Sequence, residues 1–196
     1  MKKIILSAIG LSVLALACTQ QNTSNDASKT VEVNPVADSL KLLESGAYMV
    51  NAIGCDDCHT PKKMTEFGPA PDMEVRFSGH PAEQPFKGDY KLTSDYAMFN
   101  HSLTAALGPW GISYASNISS DATGIGNWTL EQFTRALREG KSKGLENGRM
   151  LLPPMPWPNL KNLSDDDIKA IFYYLKSSKP VRNIVPAPVS PAEMQG

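Results

Sequence analysis

The order of apolar and polar positions cuts the chain into segments of different character. Behind Lys2 and Lys3, residues Ile4 to Leu16 form an apolar run, and residues 19–37 that follow are polar and without period, as a flexible tether would be. From about Asp38 to Asn51, Leu40, Leu43, Ala47 and Val50 recur at spacings of three and four, which predicts a helix with one apolar face, broken at Gly54. Residues 60–116 carry many prolines and glycines and scattered aromatics but no sustained period. They read as a long loop layer with a short helix near residues 96–107.

Two cleaner helices follow. The first starts at Thr129, which with Gln132 makes a capping box, and it buries Leu130, Phe133, Ala136 and Leu137 before Gly140 stops it. The second starts at Ser164, has Asp165, Asp166 and Asp167 in its first turn where the helix dipole favours them, and buries Ile168, Ile171, Phe172 and Leu175. Pro180 lies just beyond its end, and the Pro-rich end of the chain reads as an extended strap or a disordered tail. No segment signals a strand.

The N-terminal pattern changes the count of residues available for folding. A charged start, a short apolar run and the small-residue exit Ala15-Leu16-Ala17 make an export signal over residues 1–17, too short and wrongly flanked for a spanning helix. Cys18 directly after it resembles the lipid-attachment cysteine of bacterial lipoproteins, with Ala15 where leucine is usual. The expected organisation is a signal peptide (1–17), an anchor cysteine and tether (18–37), one domain (38–185) and a Pro-rich tail (186–196). As a random coil the tether reaches on the order of 25 Å. A domain of that size holds one core.

Composition adds two points. With 41% hydrophobic residues, 15 prolines and 14 glycines, the chain is slightly poor in core-forming side chains, which a bound apolar group would supplement. Without residues 1–17 there remain 17 basic and 20 acidic residues, a formal charge of −3 with no basic run, which gives no footprint for nucleic acid.

The chemistry gathers at Cys55-Asp56-Asp57-Cys58-His59, the C-x-x-C-H pattern of covalent haem attachment. Two thiols about one turn apart reach the two vinyl groups on one porphyrin edge, and the adjacent histidine places its imidazole under the iron. A zinc site would need a second ligand pair, and His80 and His101 stand far apart and alone in the sequence. A redox dithiol would need an α/β context. With Cys18 assigned to lipid and Cys55 and Cys58 to haem, none of the three cysteines is left for a disulfide.

The sixth position on the iron falls to Met155, held in Pro153-Pro154-Met155-Pro156-Trp157-Pro158, where prolines keep the loop extended and stiff. It is favoured over Met150, His80 and His101. A thioether there favours reduced iron. Trp128 is a candidate partner for a haem propionate or a core residue, Arg138 and Arg149 are candidates to neutralise a propionate, and Trp157 is placed near the haem edge.

The motifs Ser116-Asn117-Ile118-Ser119-Ser120-Asp121, Thr123-Gly124-Ile125-Gly126-Asn127-Trp128-Thr129 and Met155-Pro156-Trp157, followed by Leu163-Ser164-Asp165-Asp166-Asp167-Ile168, complete a resemblance. Over about residues 40–185, apart from 60–116, the chain resembles a class I-like monohaem cytochrome c domain of the kind associated with bacterial membrane-bound alcohol and aldehyde dehydrogenases. The resemblance implies an all-α cytochrome c fold, with crossing N- and C-terminal helices around one haem and a long loop insertion. It makes Cys55 and Cys58 the attachment points of a single covalent haem c, His59 the proximal ligand and Met155 the distal one.

The function that follows is single-electron transfer between a dehydrogenase or quinol-oxidising complex and a terminal acceptor such as an oxidase. The chain is then an exported, periplasmic or envelope-bound carrier or electron-transfer subunit, not an enzyme. If no side chain takes the sixth position, the alternative is an open haem with peroxidase or gas-sensing activity.

Overall fold

The computed structural model describes residues 35–84, 86 and 95–194. The expected signal, Cys18 and most of the expected tether fall outside those residues. No described helix is long and apolar enough to cross a membrane.

Helix α1 runs Pro35–Ile53, starting three residues before the apolar period does. Its buried positions are Gly46 and Val50, while Leu40, expected on the inner face, is 58% exposed. The cause lies at the contact with the last helix, α5 (Asp165–Lys176). A Cβ on Gly46 would stand 2.1 Å from the Ala170 carbonyl oxygen, so α1 meets α5 backbone to backbone there. Leu40 lies nearly two turns before that contact.

Helix α2 (Cys55–His59) follows, entered through Gly54 at φ 80°, a left-handed conformation that suits glycine. Helices α3 (Leu130–Glu139) and α5 both carry the reciprocal capping box, at Thr129/Gln132 and Ser164/Asp167, and Gly140 ends α3 at φ 66°. The short α4 (Trp157–Leu160) connects them. The core gathers Val50, Phe77, Ile125, Phe133, Leu137, Ile168, Ile171, Phe172 and Leu175, as the helical stripes predict for α3 and α5.

The all-α expectation is overturned, among the described residues, by five short strands in two antiparallel sheets. Strands β1 (Lys62–Thr65) and β2 (Gly68–Pro71) form a hairpin just after α2. Strands β3 (Met98–Phe99), β4 (Ala105–Gly108) and β5 (Gly111–Tyr114) form a three-stranded meander.

The helix expected near 96–107 is therefore β3, a turn and β4. Asn100 makes the turn, its side-chain oxygen accepting from the Ala105 N–H at 3.0 Å and its amide donating to Thr104 Oγ1 at 3.1 Å. Every residue of β4 is buried, so no alternation marks it. In the β4–β5 connection Pro109 presets φ, and Gly111 takes φ 93°.

The free edge of β5 is covered by the chain's Pro-rich end. Ile112 and Val189 exchange backbone hydrogen bonds of 2.8 and 3.0 Å. The strap is the form the tail takes there, and it covers an edge that would otherwise offer unpaired backbone groups.

Candidate haem-attachment site

Helix α2 presents Cys55, Cys58 and His59 within two turns, both thiols unpaired and half-buried. His59 Nδ1 lies 2.7 Å from the Ser116 carbonyl. A carbonyl only accepts, so Nδ1 carries the proton and Nε2 keeps its lone pair, the arrangement that orients a metal-binding histidine. Burial lowers the imidazole's proton affinity, outweighing the Ser116 bond and the nearby Asp56 charge, which act the other way. The ring is therefore held neutral, as a metal-binding imidazole must be.

The thiols have the opposite of a redox dithiol's electrostatics. Burial first, then the charge of Asp56, pushes the Cys55 thiol up to about 11, and burial with Asp57 raises Cys58. Reactive dithiols are made by a lowered thiol pKa. Among the described residues no three His, Cys, Asp or Glu side chains gather to hold a bare metal ion.

A clamp not foreseen in the sequence holds α2 in place. Arg76 grips Asp56 with Nε at 2.9 Å and Nη2 at 2.5 Å, and also donates to Asn51 of α1 and to Tyr174 of α5, each at 2.9 Å. Its guanidinium lies 4.3 Å from the Phe77 ring centre. Asp56 further accepts from Thr60 Oγ1 at 2.6 Å. Burial alone would raise the Asp56 carboxyl, but Arg76, Thr60 and Lys62 outweigh it and hold it below its ordinary range. Lys62 caps the other end, donating to the carbonyls of Asp56, Asp57 and Thr60. Only the acidic pair inside Cys-x-x-Cys hinted at such a partner.

Met155 packs half-buried against the same hydrophobic core as Cys55, with Ile53, Ile118, Trp128, Leu160 and Leu163 also bordering it. Its loop is tied to β5, where Ser113 Oγ donates to the Pro153 carbonyl at 2.6 Å. Segment 113–116 thus holds the Met155 loop through Ser113 and His59 through Ser116.

The other candidates lie elsewhere. Met150 is 43% exposed and rests against Gly140. His80 is buried with both ring nitrogens engaged, Nε2 with the Gln84 carbonyl at 2.5 Å and Nδ1 with Thr104 Oγ1 at 2.9 Å. His101 is exposed in the β3–β4 turn.

Trp128 borders the core and Trp157 packs on Gly140 at the end of α3. Arg138 is paired with Asp165 at 2.5 Å and donates to the Lys161 carbonyl, while Arg149 donates to the Met150 carbonyl at 2.8 Å.

A helix that offers two thiols and an oriented imidazole beside partly buried apolar side chains has the donor set that the resemblance to c-type cytochromes calls for. Comparison with known proteins bears out that resemblance. Over 179 residues, 90% of this chain, 28% of positions are identical to the cytochrome c subunit of alcohol dehydrogenase (quinone) from Gluconobacter oxydans. Over the same length 30% are identical to the fructose dehydrogenase cytochrome subunit of Gluconobacter japonicus. Over 183 residues, 92% of the chain, 28% are identical to the gluconate 2-dehydrogenase cytochrome c subunit of Pantoea cypripedii. The chain spans 27%, 29% and 30% of the length of these three relatives. No family model matches it.

Proposed function

We propose that this chain is a monohaem c-type cytochrome that passes single electrons from a dehydrogenase or quinol-oxidising complex to a terminal acceptor, as a carrier or electron-transfer subunit rather than a catalyst. The observation that carries this reading is the 2.7 Å bond from His59 Nδ1 to Ser116, which leaves Nε2 free on a C-x-x-C-H helix. The similarity to dehydrogenase cytochrome subunits along nine-tenths of the chain supports it.

The donor set fits one haem c. Cys55 and Cys58 would hold it by thioethers, and His59 Nε2 and the Met155 thioether would supply its iron with ligands. When bound, haem c supplies a reversible one-electron change at its iron. The chain's own residues do the rest. Ser116 fixes the imidazole tautomer, Arg76 and Lys62 fix α2, and Ser113 fixes the loop of Met155. Ile53, Ile118, Trp128, Leu160 and Leu163 present half-buried apolar surface that a flat group would cover, keeping water from its face.

Export is part of the same proposal, since haem c is attached outside the cytoplasm. Residues 1–17 direct it, and Cys18 carries lipid, which holds the domain in the periplasm or at the envelope surface within reach of membrane-bound partners.

The test is the absorption spectrum of the matured protein in both oxidation states beside Met155→Ala. The expected result is a low-spin spectrum whose weak far-red ferric band disappears in the variant, together with a fall in reduction potential. An unchanged spectrum in Met155→Ala would remove Met155 from the iron and move the reading to an open haem.

A further inference from the structure

The proximal histidine depends on contacts that lead to the segment just after α5. The His59 carbonyl accepts from the Gly79 N–H at 2.8 Å, and the His80 N–H donates to the Ala115 carbonyl at 2.9 Å. Segment 78–80 therefore lies between His59 and the strand end that carries its acceptor, Ser116. The fit is close: a Cβ on Gly79 would stand 2.5 Å from the Ala115 oxygen and 2.6 Å from the Asn117 nitrogen.

One residue beyond α5 holds this segment from outside. Asn183 Nδ2 donates to the carbonyls of Ser78 and His80 at 2.7 and 2.8 Å, and its Oδ1 accepts from the Ala82 N–H at 3.1 Å. Its backbone N–H reaches Thr123 Oγ1 at 3.0 Å. From the other side Asn117, next to Ser116, donates to the Val181 carbonyl at 2.8 Å and to the Asn183 carbonyl at 3.3 Å. Residues 181–183 thus grip both the segment behind His59 and the residue beside its hydrogen-bond acceptor.

We propose that Asn183 is a positioning residue for the proximal histidine, setting the His59–Ser116 hydrogen bond through segment 78–80 and Asn117. This deepens the electron-carrier reading and rests on it, because the strength of that bond tunes the basicity of the axial imidazole. Weakening it makes His59 a poorer donor to oxidised iron and raises the reduction potential. Residues 186–194 lie past Asn183, and their backbone pairing is with β5 at Ile112, so the segment just after α5 and the tail have separable roles.

The experiment compares the full holoprotein with Asn183→Ala and with a chain ending at Val185. It reads solvent exchange of the His59 Nδ1 proton by nitrogen-15 NMR, and the reduction potential. In Asn183→Ala the proton is expected to exchange at least tenfold faster and the potential to rise, with the far-red band of Met155 ligation kept. The chain ending at Val185 is expected to keep both values. A lower melting temperature with unchanged proton exchange and potential in Asn183→Ala would overturn the proposal and leave Asn183 a merely structural residue. Should Asn183→Ala not fold, Asn183→Gln, which displaces the same amide by one methylene, supplies the comparison with the same two readings. Absence of covalent haem stain from the unsubstituted protein would overturn the electron-carrier reading instead, and the proton reading would still decide the role of Asn183.

Discussion

The helical frame and the β-containing layer of this domain are held by different chemistry. The core cluster sits largely on α1, α3 and α5 and is apolar throughout. Among the described residues the buried polar ones, Thr60, Ser78, His80, Ser102, Thr104, Ser113, Asn117 and Ser119, all fall between positions 60 and 119. Among the described residues none of their buried polar atoms lacks a partner. The frame is built by non-directional burial and tolerates exchange of one apolar side chain for another. The layer is built by directional bonds whose loss leaves an unsatisfied group, at about 1–3 kcal/mol each. The two candidate axial ligands are aimed by the second kind, through Ser116 and Ser113.

The largest expected effect comes from breaking the frame at its closest contact. In Gly46→Ala the new methyl meets the Ala170 backbone oxygen, and neither helix can yield locally. We expect a loss of about 3 kcal/mol, read as a lower urea midpoint, and a larger loss for Gly46→Leu. A variant as stable as the parent would mean that α1 and α5 do not meet at Gly46.

This contrast also explains what the sequence could and could not reveal. The stripes and capping boxes of α3 and α5 are local, and each is readable from residues at most four apart. The C-x-x-C-H motif is equally local. Leu40 is misplaced by its period because periodicity says which face is apolar, not where along the helix its neighbour passes. Strand β4 escapes a reading by pattern because burial on every position erases alternation. Arg76 and Asp56 stand 20 positions apart, and Asn117 and Val181 stand 64 apart. Such polar pairings leave no period to read.

A middle-sized effect should come from the clamp that joins the two regions. Arg76→Gln removes the bidentate partner of a carboxylate whose side chain is 18% exposed, and we expect a loss of about 2 kcal/mol. Acid should reproduce part of it. The folded carboxyl of Asp56 is held below its unfolded value of 3.8. Its contribution is therefore fully present above that value and is lost as pH falls through the lower, folded value. Unfolding free energies measured as pH is taken below 3.8 should decline in the parent and decline less in Asp56→Asn. Equal slopes would show that Asp56 is not held by Arg76 in solution.

The smallest effect is expected at the strap on β5. Ile112 and Val189 share two backbone hydrogen bonds at the edge of a small sheet, and Gly111 lies so close under the strap that a Cβ would stand 2.1 Å from the Val189 oxygen. Val189→Pro removes one of the two donors, and we expect a loss of about 1 kcal/mol. Amide exchange at Ile112 should remain slow in the variant, because its N–H keeps the Val189 carbonyl as acceptor. Exchange at Ile112 as fast as in an open loop would mean that one bond cannot hold the strap, and the edge would then depend on both donors acting together.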